Sequence, residues 1–102
     1  MRVEWTDLAA GAVGESIDLP RFGQKTVSMR TDTPGTSNVL FAGFNLGSSE
    51  VVSLHEPDGT LIATASEGLF FVEENPSFVL PVALAGTGGP FDIVLEVATG
   101  LG

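Results

Sequence analysis

Apolar and polar positions alternate most cleanly towards the C-terminal end of the chain. Phe91, Ile93, Leu95 and Val97 interleave with Asp92, Val94, Glu96 and Ala98, the period-two pattern of a strand that buries one face. A second alternation runs over 25–30, where Val27 and Met29 are set against Thr26, Ser28 and Arg30. Residues 39–46 are apolar at successive positions, which predicts a central strand covered on both faces. Gly43 inside that run predicts a bulge or a close approach of another segment. Residues 50–56 and 60–65 flank Glu56-Pro57-Asp58-Gly59, a sequence suited to a type I turn with Gly59 in the left-handed region, and predict a hairpin. Further strands are predicted over 69–73, ended by Asn75-Pro76, and over 78–85. Pro81 removes a ladder donor from the latter, so an edge or a bulge is expected there. Gly86-Thr87-Gly88-Gly89-Pro90 is expected to connect it to the last strand as a hairpin. Residues 12–19 are one more strand candidate. Residues 1–11 show no clean period and predict an irregular N-terminal arm, with one helical turn near 7–10.

Glycine and proline recur so often that an ordinary helix of three turns barely fits between them, whereas strands of five or six residues fit throughout. Turn signals at this spacing predict a sandwich or a barrel. A chain of 102 residues corresponds to one domain, read here as an arm over 1–11 and one all-β, antiparallel domain over 12–102. No internal repeat or low-complexity tract breaks it.

Charge changes the picture. Thirteen acids face four bases, for a formal net charge of −9. The bases, Arg2, Arg21, Lys25 and Arg30, all lie in the first thirty residues, balanced there by Glu4, Asp7, Glu15 and Asp18; residues 31–102 contain acids and no base. Such a surface repels phosphate and anionic lipid, so nucleic acid and membrane are not expected partners. The asymmetry suits plain solubility first, or a neutral N-terminal third that faces a partner while the acidic part faces solvent. The N-terminus carries acids and lacks an apolar core, so it does not read as a secretory signal, and no apolar run is long enough for a membrane helix.

Candidate chemistry is sparse. There is no cysteine and no tyrosine, and His55 is the single histidine. It stands beside a turn with no second imidazole or thiolate to share a metal. Glu73 and Glu74 are adjacent, so on a strand they point to opposite faces and cannot work as an acid–base pair. Glu56 and Asp58 lack the spaced companions of a calcium loop. The glycine run 86–90 is not followed by the Lys-Ser/Thr of a phosphate cradle, and no Gly-x-Ser-x-Gly elbow occurs. No catalytic residue, cofactor site or metal site is expected, and the function is expected to be non-enzymatic. What remains is a set of candidate contact residues: Met1, Arg2, Val3 and Trp5 in the arm, Arg21 and Phe22 after it, and Phe70 and Phe71. Trp5 suits either an anchor of the arm on its own core or an interface hot spot. Phe70 and Phe71 are consecutive, so one faces in and one faces out.

The order of elements from residue 39 onward also carries a likeness. Val39-Leu40-Phe41-Ala42-Gly43-Phe44 is followed by Val51-Val52-Ser53-Leu54, Pro57-Asp58-Gly59-Thr60, Val72-Glu73-Glu74-Asn75-Pro76, Phe78-Val79-Leu80-Pro81-Val82 and Gly86-Thr87-Gly88-Gly89. This succession resembles small virion structural proteins of tailed phages, of the head-decoration or capsid-cement type. In such proteins a basic or aromatic position often follows the proline-rich turn; this stretch has no base. Residues 1–38 carry none of the likeness. The resemblance implies a β-sandwich or jelly-roll-like domain, made in the host cytoplasm, that binds the outer face of an assembled capsid. Its partner would be the major capsid protein, its form a homo-oligomer such as a trimer, and its docking element the arm. Two other roles stay open: a tail or neck component, and a stand-alone binding module for carbohydrate or protein. One tryptophan and no tyrosine speak against a carbohydrate platform of coplanar aromatics.

Overall fold

The short runs between glycines and prolines become strands. The computed structural model describes residues 1–19, 23–48 and 50–98, and no helix occurs among them. The strands are β1 (Arg2–Leu8), β2 (Ile17–Asp18), β3 (Lys25–Arg30), β4 (Val39–Phe44), β5 (Val52–Ser53), β6 (Ala63–Thr64), β7 (Glu67–Phe71), β8 (Phe78–Ala83) and β9 (Phe91–Val97). They form two antiparallel sheets packed together, one in the order β1-β9-β3-β7 and the other β2-β8-β4-β5, with β6 also on β4.

The pairing is nested. The first strand pairs with the last, β2 with β8, β3 with β7, and β4 with both β5 and β6. The further pairs β3 with β9 and β4 with β8 stitch these ribbons side by side. A long antiparallel ribbon rolled up in this way is a jelly-roll sandwich. Its core is made by the two inner faces. Val27, Met29, Phe91, Ile93 and Leu95 come from one sheet and Val39, Phe41 and Val79 from the other, all essentially sealed from solvent. The alternation at 91–97 and 25–30 puts them there.

Several sequence expectations are corrected. Residues 1–11 are not an irregular arm: Arg2–Leu8 is the edge strand β1, paired with β9 from Arg2↔Glu96 to Trp5↔Ile93. The register then shifts, and Asp7 takes a positive φ of 56° before Leu8 pairs with Phe91. The alternation of Val3 and Trp5 is real, but this bulge breaks its phase before it can be recognised. The expected helical turn is instead a single turn closed by Ala12 N–H to Ala9 O at 3.0 Å. Residues 50–65 do not form a long hairpin. Val52–Ser53 and Ala63–Thr64 lie end to end along one edge of β4, and between them 54–62 forms the expected hairpin in shorter form, with His55 paired to Leu61, Glu56 N–H on Thr60 O and Ile62 N–H on Leu54 O. The Pro-Asp-Gly turn tips that hairpin as expected, with Gly59 at φ 88° and its N–H on Glu56 O. Finally, 86–90 is not a hairpin, because β8 and β9 belong to different sheets. It crosses over the end of the sandwich, held by Ser37 N–H to Thr87 O and Gly89 N–H to Thr33 O at 2.9 and 3.0 Å.

Two local expectations hold. Pro81 lies in an inner strand, but opposite an irregular stretch between the Val13↔Val82 bridge and the Ile17↔Val79 pair. Gly14 N–H donates to Pro81 O on that side at 2.8 Å. A residue's N and C=O point to the same side of a strand, so the missing proline donor faces the gap. At Gly43 the close approach is Pro76, whose Cγ would lie 2.5 Å from an added Cβ.

Candidate interaction surface

The residues singled out in the sequence do not form one surface. Arg2 lies on β1, at one edge of its sheet, with Met1 just before it, and Phe71 lies on β7, at the other edge, with β9 and β3 between. Arg2 is exposed and bridges Glu4 and Glu96 at 2.9 and 2.7 Å. Val3 is half-buried and packs against the core. Trp5 is removed from the candidate contacts altogether. It is buried, meets Phe41 edge to face with ring centres 6.0 Å apart, and donates its Nε1–H to Glu15 O at 2.8 Å. Sharing a strand with the core-facing Val3 puts it inside. Phe70 turns in against the core and Phe71 turns out, 49% exposed, as two consecutive strand residues must. Arg21 and Phe22 lie outside the described residues.

The two outer faces of the sandwich differ sharply. Strands β1, β3, β7 and β9 carry Arg2, Glu4, Asp7, Lys25, Arg30, Glu67, Asp92 and Glu96, and all of these except Lys25 are exposed or half-exposed. Strands β4, β5, β6 and β8 contain no ionisable residue. In β4 and β8 the core takes Val39, Phe41, Val79 and Ala83. The alternate set therefore faces away from that core: Leu40 opposite Val82, Ala42 opposite Leu80, and Phe44 opposite Phe78, with Ala42 and Leu80 buried and the other four half-buried. Phe44 and Phe78 stack at 4.8 Å and 15°. Val13, bridged to Val82, and Leu84 extend this face at one end, 60% and 45% exposed. Of its ionisable neighbours only Asp18, on the short β2, lies in register with it. Sequence reasoning did not pick this face, although its signal was visible: 39–46 and 78–85 are apolar on both sides, and one sandwich can cover only one side of each.

A second feature is a groove of about 600 Å³ at the end of β3 and β7, between Gln24, Pro57, Phe71 and Glu73. Lys25 lines it, buried to 4% exposure, with its amine donating to Asn75 Oδ1. Burial holds its pKa below the ordinary lysine value, while Glu73 and Glu74 pull it back up. Close by, Glu74 clasps His55: the His55 backbone N–H donates to Oε1 at 2.7 Å, and the ring Nδ1 meets Oε2 at 2.8 Å. Among the described residues no three of His, Asp and Glu converge as metal ligands. Chemically the groove offers one amine tied to an amide, and beside it one imidazole tied to a carboxylate.

Compared with protein-family models, with curated proteins and with solved structures, the chain has no significant match.

Proposed function

We propose that the chain is a non-enzymatic virion protein that docks on the outer surface of a phage capsid and stabilises it. The docking element is the apolar outer face of the β2-β8-β4-β5 sheet, with Asp18 of β2 at its border. One observation carries this reading: β4 and β8 are apolar on their outer side too, where Ala42 and Leu80 are buried, Leu40, Phe44, Phe78 and Val82 are half-buried, and Val13 and Leu84 stand exposed at one end. Strands of that composition belong in sheets covered on both faces. An apolar face with Asp18 alone in register with it, on a chain of net charge −9, supports a partner there. The opposite sheet, with its paired arginines and carboxylates, suits the solvent side of a crowded shell, where net charge keeps neighbours apart.

The mechanism is mechanical. A subunit whose flat apolar face spans a joint between capsomers adds buried area that must be exposed again for the joint to open. Many copies, associated as trimers on the arrangement the sequence resemblance implies, multiply that effect.

Sedimentation of the purified protein with expanded capsids, with unassembled capsid protein and alone tests the proposal. The protein should pellet with shells only. The variant Val13→Asp/Leu84→Asp alters two exposed positions and should remain folded while its capsid affinity falls by about tenfold or more. Equal pelleting in all three tubes, or an unweakened variant, defeats the reading.

A further inference from the structure

The four sheet edges are not equally guarded. Edges β2 and β5 are two residues long, too short to template another strand. Edge β1 carries Arg2, Glu4 and Asp7 and is broken by a bulge, both common guards against strand pairing. Edge β7 has no bulge, and its one charge, Glu67, stands at its end. It runs Glu67-Gly68-Leu69-Phe70-Phe71, with Leu69 65% and Phe71 49% exposed.

The hydrogen-bond phase shows what this edge offers. Val72 N–H donates to Lys25 O and Thr31 N–H to Ser66 O, so the even-numbered residues of β7 turn their backbone groups to β3. Glu67, Leu69 and Phe71 turn theirs to the free side. Both ends of that side are already occupied: Thr64 Oγ1 donates to Glu67 O at 3.2 Å, and Glu73 N–H donates to His55 O at 2.9 Å. Between them, no described residue bonds the N–H or C=O of Leu69 or Phe71. The result is a short open ladder between Glu67 at one end and Glu73 at the other.

We infer that β7 is a strand-addition site that takes a short extended peptide segment of another protein, with β-forming residues at its centre and a basic residue at each end. Charge selects this occupant. Carboxylates stand at both ends of the window, and acids outnumber the one base at each: Arg30, opposite Glu67, is shared with Asp32 and Asp92, and Lys25, near Glu73, is shared with Glu74. A second copy fits poorly: antiparallel pairing of two β7 strands about Leu69 sets Glu67 of one diagonal to Glu73 of the other, twice, in a dimer of two chains each at −9. Diagonal neighbours lie close enough for like charges to repel. Main-chain bonds at Leu69 and Phe71 would hold the segment in register, and the two carboxylates would choose its sign. The inference goes beyond the capsid reading, since any protein presenting such a segment would serve.

The probe is the synthetic peptide acetyl-Lys-Thr-Val-Thr-Val-Thr-Lys-amide, titrated into the full chain and followed by amide NMR and hydrogen exchange. Saturable shifts centred on 67–73 are expected, with exchange at the Leu69 and Phe71 amides slowed by about tenfold or more at saturation. Replacing both peptide lysines with glutamates should weaken binding by about tenfold or more. So should Leu69→Lys, which guards the edge without touching the β3 ladder. No saturable shift at millimolar peptide, shifts centred elsewhere, or equal binding of the acidic peptide would each overturn the inference. So would protection of Leu69 and Phe71 without peptide in a chain that sediments as a dimer, since a second copy would then own the edge. Capsid binding with no peptide binding would leave the capsid reading standing alone, and the reverse result would leave only this site.

Discussion

Trp5 ties three segments together: its ring abuts Phe41 of the opposite sheet, and its Nε1 holds the chain at Glu15. Trp5→Ala should cost about 3–5 kcal/mol through lost burial and a residual cavity. Trp5→Phe keeps a ring but strands the Glu15 carbonyl, adding about 1–3 kcal/mol for the unmade hydrogen bond to whatever the lost volume costs. Urea denaturation followed by circular dichroism gives both values, since the only tryptophan is lost in each variant. Glu74 sets a pH dependence. Burial alone would raise its carboxyl, but hydrogen bonds from the His55 ring and backbone N–H outweigh it and hold the carboxyl below its ordinary 4.5. A carboxyl depressed by folding contributes stability that is present above the unfolded value and is lost as pH falls through the folded one. Wild-type stability should therefore fall more steeply than that of Glu74→Gln below about pH 4.5. The difference should be modest, because both side chains are more than a third exposed and screened. Equal slopes in denaturation midpoint against pH would show that the clasp contributes nothing.

At the scale of elements, β1 yields the most discriminating test. An arm could be removed at little cost, but deleting residues 1–8 would bare the edge of β9 and take Trp5 from the core. The truncated chain should lose its cooperative thermal transition and aggregate; an unchanged transition would restore the arm. Why β1 escaped sequence reading, while β3 and β9 did not, is physical. Phe91 to Val97 keeps one phase along its whole length, whereas the bulge before Leu8 shifts the phase of β1 after two inward residues. The Pro-Asp-Gly turn was legible because its chemistry is local. The partners of β5 and β6 were not, because pairing with β4 is decided by the roll. Glycines at 86–90 announce a reversal of the chain but say nothing of which sheet it enters. The apolar outer face was half legible: two doubly apolar runs implied two covered faces, and only the register revealed that both runs turn their spare side the same way. The open edge of β7 was not legible, since it depends on hydrogen-bond phase and on which strand ends the sheet.

For the whole molecule, nested pairing makes nearly every sheet contact distant along the chain. Such topologies fold slowly, so refolding on a scale of about milliseconds to seconds is expected in stopped-flow measurements. Charge acts at this scale too. With −9 concentrated beyond residue 30, self-repulsion opposes the compact state, and salt screens it. Raising sodium chloride from about 10 mM to about 300 mM should raise Tm by a few degrees; a fall or a flat response would mean that the local ion pairs of Arg2 and Arg30 outweigh the net charge. Rolling first strand onto last has one more outcome. The Met1 amine donates to Val97 O at 3.0 Å, and Val97 N–H returns a bond to Met1 O at 2.8 Å. The described ends of the chain thus sit side by side at one corner. A short flexible linker could join them, and new termini could be opened at the exposed Asp58-Gly59 tip, giving a circular permutant with every strand pair intact. By the same geometry, the described chain enters and leaves the sandwich at a single point of its surface.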